Sequence, residues 1–102
     1  MTVTFYHATS DINFTWLSIS KGTAFISRDI NATKDVLINK IGSDGSGSIV
    51  ISNIPKDLAE LLIKNERSYD GFYPYNIKGS TEIPLRTQEE QELFNSYIST
   101  AI

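Results

Sequence analysis

Alternation opens the chain: Val3, Phe5 and His7 fall on one side of an extended segment and Thr2, Thr4 and Tyr6 on the other, which predicts a strand over residues 2–7. Asp11 to Ser20 carries Ile12, Phe14, Trp16, Leu17 and Ile19 at spacings that fit neither period, so it is expected to be irregular with Trp16 packed inward. Gly22 to Ser27 reads as a second strand. Asp29 then caps a helix that runs to about Ile41, with Ala32, Val36, Leu37 and Ile41 roughly on one side. Asp29 and Asp35 stand toward its start and Lys40 near its end, as the macrodipole favours.

A stretch of glycine and serine, Gly42 to Ser48, separates this helix from a strand at Ile49-Val50-Ile51. Its glycines, Gly42, Gly45 and Gly47, match neither the P-loop nor the dinucleotide fingerprint, so it reads as a connector. Pro55 opens a helix with Leu58, Leu61 and Leu62 on a shared face. Arg67 to Ser80 is a long loop rich in aromatics: Tyr69, Phe72, Tyr73 and Tyr75. A short strand follows around Thr81-Glu82-Ile83-Pro84-Leu85, where Pro84 predicts an edge or a bulge. Thr87 and Glu90 form a capping box for a last helix with Leu93, Phe94, Tyr97 and Ile98 on its buried stripe. Strands and helices alternate too irregularly for a doubly wound sheet, so the expectation is a small α+β domain spanning residues 1–102 as one compact unit.

Composition narrows what such a domain does. The 102 residues are 40% apolar and 21% charged, enough for one core with little stability to spare. A net charge of −3 supplies no basic field for a nucleic-acid backbone, although local donors still suffice for a dinucleotide. With no cysteine and one histidine, a disulfide framework is excluded and a zinc site is not expected. No window has the length of a membrane span, and Met1-Thr2-Val3-Thr4 lacks the basic and apolar regions of a secretion signal. No membrane partner is expected.

The candidate chemistry sits at strand ends. His7 closes the first strand and is followed at once by Thr9 and Ser10, a polar cluster suited to sugar hydroxyls; alone, His7 reads first as a structural residue satisfying a backbone group, and otherwise as a general base or a ligand donor. Phe25 and Ser27 emerge on one face of their strand, where the ring can stack on a planar heterocycle while the hydroxyl holds a neighbouring sugar; core packing is the plainer role for Phe25. Glu82 at the start of its strand can accept from a ribose hydroxyl and stabilise positive charge on a sugar ring. Arg28 and Arg86 are candidates for a diphosphate.

The order of these marks resembles the ADP-ribosyltransferase superfamily in its small bacterial toxin and effector branches. Tyr6-His7-Ala8-Thr9-Ser10 is similar to the family's Tyr-His-Gly-Thr/Ser element, Gly22 to Ser27 to its middle-strand signature, and Thr81-Glu82-Ile83-Pro84-Leu85 to the late strand that opens on the catalytic glutamate. The resemblance implies a split β-sheet core with flanking helices, and NAD as substrate. It also implies site roles: His7 and Thr9 on the adenosine ribose, Ser27 with an aromatic on the nicotinamide riboside, and Glu82 as the catalytic carboxylate. Phe25, Tyr73 or Tyr75 is the substitute for the stacking tyrosine. Ser80 occupies the place of the second acid in the arginine-modifying subtype, so the acceptor, protein or nucleic acid, is left open.

The resulting expectation is a mono-ADP-ribosyltransferase or NAD glycohydrolase toxin or effector. It would act in the cytoplasm of a target or host bacterial cell, delivered as part of a secreted toxin if it is exported, with a cognate immunity protein as a further partner. Two alternatives remain open: a small ribonuclease toxin using His7 and Glu82 as acid and base with Arg86 on the phosphate, and a non-enzymatic binding module such as an immunity protein or phage inhibitor.

Overall fold

In the computed structural model, which describes residues 1–10, 14, 16–41, 47–69 and 80–101, the first strand is longer than its pattern suggested: β1 spans Thr2–Thr9. The other strands are β2 (Ala24–Ile26), β3 (Ser48–Pro55), β4 (Arg67–Ser68), β5 (Thr81–Leu85) and β6 (Ile98–Ala101). Three helices join them, α1 (Ile30–Val36), α2 (Lys56–Ile63) and α3 (Gln88–Asn95). A single 3-10 turn covers Ile19–Lys21, and a π turn over Leu37–Ile41 extends α1.

The strands form two antiparallel three-stranded sheets, in the orders β1-β3-β6 and β2-β5-β4. One bridge joins them. The Tyr6 amide donates to the Ser27 carbonyl at 2.8 Å and the Ser27 amide donates back to Tyr6 at 2.9 Å, so β1 and the end of β2 lie side by side. Both sheets turn side chains into a shared core: Phe5, Val50 and Ile54 from the first, Ile26, Ile83 and Leu85 from the second, Ala59 and Leu62 from α2, and Phe94 from α3. The Cα radius of gyration, 12.8 Å, matches the roughly 13 Å of a single domain of 100 residues. The chain is a small compact α+β domain.

Local signals account for the helix starts. The Asp29 carboxylate accepts from the Asn31 amide at 2.8 Å, and Thr87 and Glu90 complete the reciprocal capping box of α3. Pro55 ends β3 and immediately precedes α2.

Several expectations are corrected. Trp16 is 64% exposed; Leu17 takes the core position instead, because Asn95 grips its backbone from both ends, accepting from its amide at 2.6 Å and donating to its carbonyl at 2.9 Å. In α2 the buried face is Ala59 and Leu62, while Leu58 and Leu61 face solvent. In α1 the buried residues are Ala32, Thr33 and Asp35, not an all-apolar stripe, and the π turn shifts the phase beyond Val36. The last helix stops at Asn95, where the Ser96 hydroxyl donates back to the Glu92 carbonyl at 2.8 Å, and Ile98 enters β6. Arg67–Ser68 form a strand, not loop; the rest of the aromatic segment, residues 70–79 with Tyr73, lies outside the described residues, as do residues 42–46 of the connector.

Pro84 sits in the central strand of its sheet. It pairs with Phe25 on one side; on the other, β4 reaches only as far as Glu82, so the missing amide faces a side where no strand follows. Among the described residues no helix is long and apolar enough to cross a membrane.

Candidate functional site

The bridge between Tyr6 and Ser27 determines where the polar groups meet. It brings the end of β1 against the end of β2, while β5 pairs with β2, and a half-open cleft of about 180 Å³ lies where these strands face α1. His7, Phe25, Ser27, Tyr69 and Glu82 all line it. Four residues singled out from sequence, drawn from three strands up to 75 positions apart, share this hollow. Thr9 does not line it. It lines a second hollow of about 170 Å³ with Phe14, Trp16 and Lys21, and the two hollows have His7, Thr23 and Ala24 in common.

His7 stands at the junction. Its Nδ1 lies 2.8 Å from the Phe25 carbonyl oxygen, which can only accept, so Nδ1 carries the proton and Nε2 of the neutral ring keeps its lone pair. Burial lowers the imidazole pKa below its ordinary 6.5, and the bond to Phe25 opposes that shift. The ring also packs near Phe14 and edge-on to Phe94, with centroids 5.8 and 6.2 Å apart.

Ser27 is buried and its hydroxyl is committed to the frame. It donates to the Thr81 carbonyl at 2.6 Å and accepts from the Asp29 amide at 2.9 Å. Asp29 in turn accepts from the Ser80 hydroxyl at 2.9 Å. One serine thus fastens the start of β5 to the start of α1. The residue it fastens, Thr81, immediately precedes Glu82.

Glu82 is partly exposed, and its Oε2 accepts from the Arg67 Nε at 2.8 Å. The same guanidinium lies 5.6 Å from the centroid of the Phe25 ring, which is 43% exposed. Arg28, a candidate phosphate contact, instead forms a two-pronged ion pair with Glu66, at 2.7 and 2.5 Å. That pairing holds the Glu66 carboxyl below the usual range. The other candidate, Arg86, is exposed and is not among the residues lining the cleft.

Tyr69, the first aromatic of the segment that the sequence marks as able to bind a substrate or to pack over the core edge, also lines the cleft, and its hydroxyl had no role assigned from sequence. The Tyr69 hydroxyl donates to Asp35 Oδ2 at 2.7 Å, and Asn39 donates to Asp35 Oδ1 at 2.8 Å, which satisfies a carboxylate buried in α1. Burial first, then the Asp35 hydrogen bond and the Asp35 and Glu82 charges, push the Tyr69 phenol far above its ordinary range, so it remains a hydrogen-bond donor at every physiological pH. The sequence signals for this pair are the aromatic run that opens at Tyr69 and the helical spacing of Ala32, Asp35 and Asn39.

The arrangement is suited to a flat ring bearing or developing positive charge: an aromatic ring, a carboxylate and an imidazole line one small hollow. Comparison with protein-family models, with curated proteins and with solved structures finds no match to this chain.

Proposed function

We propose that this chain is an ADP-ribosyltransferase-like domain that binds NAD across the two adjoining hollows and breaks the nicotinamide–ribose bond, as a mono-ADP-ribosyltransferase or NAD glycohydrolase. The observation that carries the reading is the convergence of His7, Phe25, Ser27 and Glu82 on one cleft. A volume of about 180 Å³ falls below the roughly 300–1,000 Å³ of whole-ligand pockets, which suits one ring and its sugar with the remainder of the dinucleotide in the hollow beside it.

In this reading Phe25 stacks on the nicotinamide ring and the lone pair on His7 Nε2 accepts from a ribose hydroxyl. Thr9, in the adjoining hollow, serves the adenosine half. As the glycosidic C–N bond breaks, its electron pair leaves with neutral nicotinamide, and the positive charge appearing on the ribose is stabilised by the Glu82 carboxylate. Water, or a nucleophile of a bacterial acceptor, then adds to the ribose carbon and loses its proton to solvent. Ser27 contributes by holding Thr81, and through it Glu82, in register.

The test pairs binding with turnover. NAD should raise the melting temperature by mass action, with stabilisation of about 2.7 kcal/mol at a hundred times Kd. Glu82→Gln should lower nicotinamide release at saturating NAD, or label transfer from NAD to a bacterial lysate, roughly 10²–10³-fold. Absence of any shift at millimolar NAD, together with no nicotinamide release, sinks the proposal.

A further inference from the structure

We propose that the cleft recognises planar organic cations as a class, and that Arg67 is the chain's own occupant of the two groups that recognise them. The inference rests on the NAD reading in taking this cleft as the ligand site, and it adds what the free chain does there. Phe25 pairs with Pro84 across β2 and β5, and Arg67 pairs with Glu82 across β5 and β4. Glu82 and Pro84 are two apart, so they emerge on the same face of β5. An aromatic face and a carboxylate from neighbouring strands therefore address one place.

The group found there is a flat delocalised cation, the Arg67 guanidinium, 2.8 Å from the acid at Nε and 5.6 Å from the ring centroid. Arg67 is exposed and does not itself line the cleft; it reaches both groups from outside. A pyridinium needs the same two partners: a π face for its plane and an anion for its charge. An ion pair and a cation–π interaction at an exposed site are both weak, so an entering ligand can displace Arg67. Once displaced, Glu82 is released to face the ligand.

The experiment titrates 1-methylnicotinamide, methylguanidinium and neutral nicotinamide into the wild type, Arg67→Ala and Phe25→Leu, read by calorimetry and thermal shift. Both cations should bind the wild type roughly tenfold or more tightly than neutral nicotinamide. Arg67→Ala should tighten the cations by roughly three- to tenfold, the scale of one weak exposed ion pair that no longer competes for Glu82, and Phe25→Leu should weaken them. Preference for the pyridinium points to a nicotinamide nucleotide as the natural ligand; preference for the guanidinium points to an arginine side chain.

Equal binding of neutral nicotinamide, or an Arg67→Ala affinity that is unchanged or lower, overturns the inference. Nicotinamide release from NAD, assayed on the same proteins, separates it from the reading it builds on. Release without cation preference removes the role given to Arg67 and leaves the NAD reading standing. Cation preference strengthened by Arg67→Ala, without release, does the reverse.

Discussion

His7 donates from Nδ1 to the backbone carbonyl of Phe25 at 2.8 Å, so the imidazole at the end of β1 is held by the strand that carries the aromatic wall of the cleft. The bond sets the tautomer and the burial sets the charge, and together they make a pH prediction. Because the folded-state pKa lies below the unfolded value of 6.5, the unfolded chain binds more protons in the window between the two. Stability from this residue is therefore complete above pH 6.5 and is lost as pH falls toward the folded pKa. In urea unfolding, the stability advantage of wild type over His7→Leu should shrink between pH 7.5 and 5. A constant difference across that range contradicts the assignment of a neutral, desolvated ring.

Ser27→Ala should destabilise the domain by about 1–3 kcal/mol, since it deletes a buried hydroxyl and strands the Thr81 carbonyl and the Asp29 amide. Chemical denaturation reads the cost. A loss below about 0.5 kcal/mol, the range of ordinary surface substitutions, shows that the hydroxyl does not fasten β5 to α1.

The two faces of α2 give a contrast within one helix. Leu62 is fully buried and Leu61 is 52% exposed, so Leu62→Ala should cost about 2–5 kcal/mol and Leu61→Ala less than about 0.5 kcal/mol. Equal costs, measured by urea midpoint, place the helix in a different rotation.

That contrast shows where sequence patterning reaches its limit. The alternation of Val3, Phe5 and His7 and the paired signals of Thr87 and Glu90 are local, and β1 and α3 follow from them. His7, Phe25, Ser27 and Glu82 were legible as candidates because each is a polar or aromatic group at a strand end. Their gathering depends on the Tyr6–Ser27 bridge, a pairing across twenty-one positions that no periodicity encodes. Arg67 escaped notice because its partner is fixed by strand register, and a two-residue strand leaves almost no pattern. Leu58, Leu61 and Leu62 are equally apolar on paper; only the position of the sheets decides which is covered. Trp16 illustrates the same point, since hydrophobicity favoured the core and the two Asn95 hydrogen bonds gave that place to Leu17.

Trp16 also supplies the sharpest check on how a dinucleotide would lie. It is the chain's one tryptophan, it is 64% exposed, and it lines the second hollow but not the first. In the free chain its fluorescence should be that of a wet indole, readily quenched by iodide. NAD and ADP-ribose, which carry the adenosine half, should both shield it and lower the quenching constant about twofold or more, as expected when roughly half the exposed ring is covered by a stacked base. 1-Methylnicotinamide occupies only the first cleft and should leave the quenching unchanged. Shielding by 1-methylnicotinamide, or by neither nucleotide, means that the ligand does not run past His7 into the hollow that Thr9 and Trp16 share. The adenosine role of Thr9 would then have to be withdrawn even if Glu82→Gln abolishes nicotinamide release.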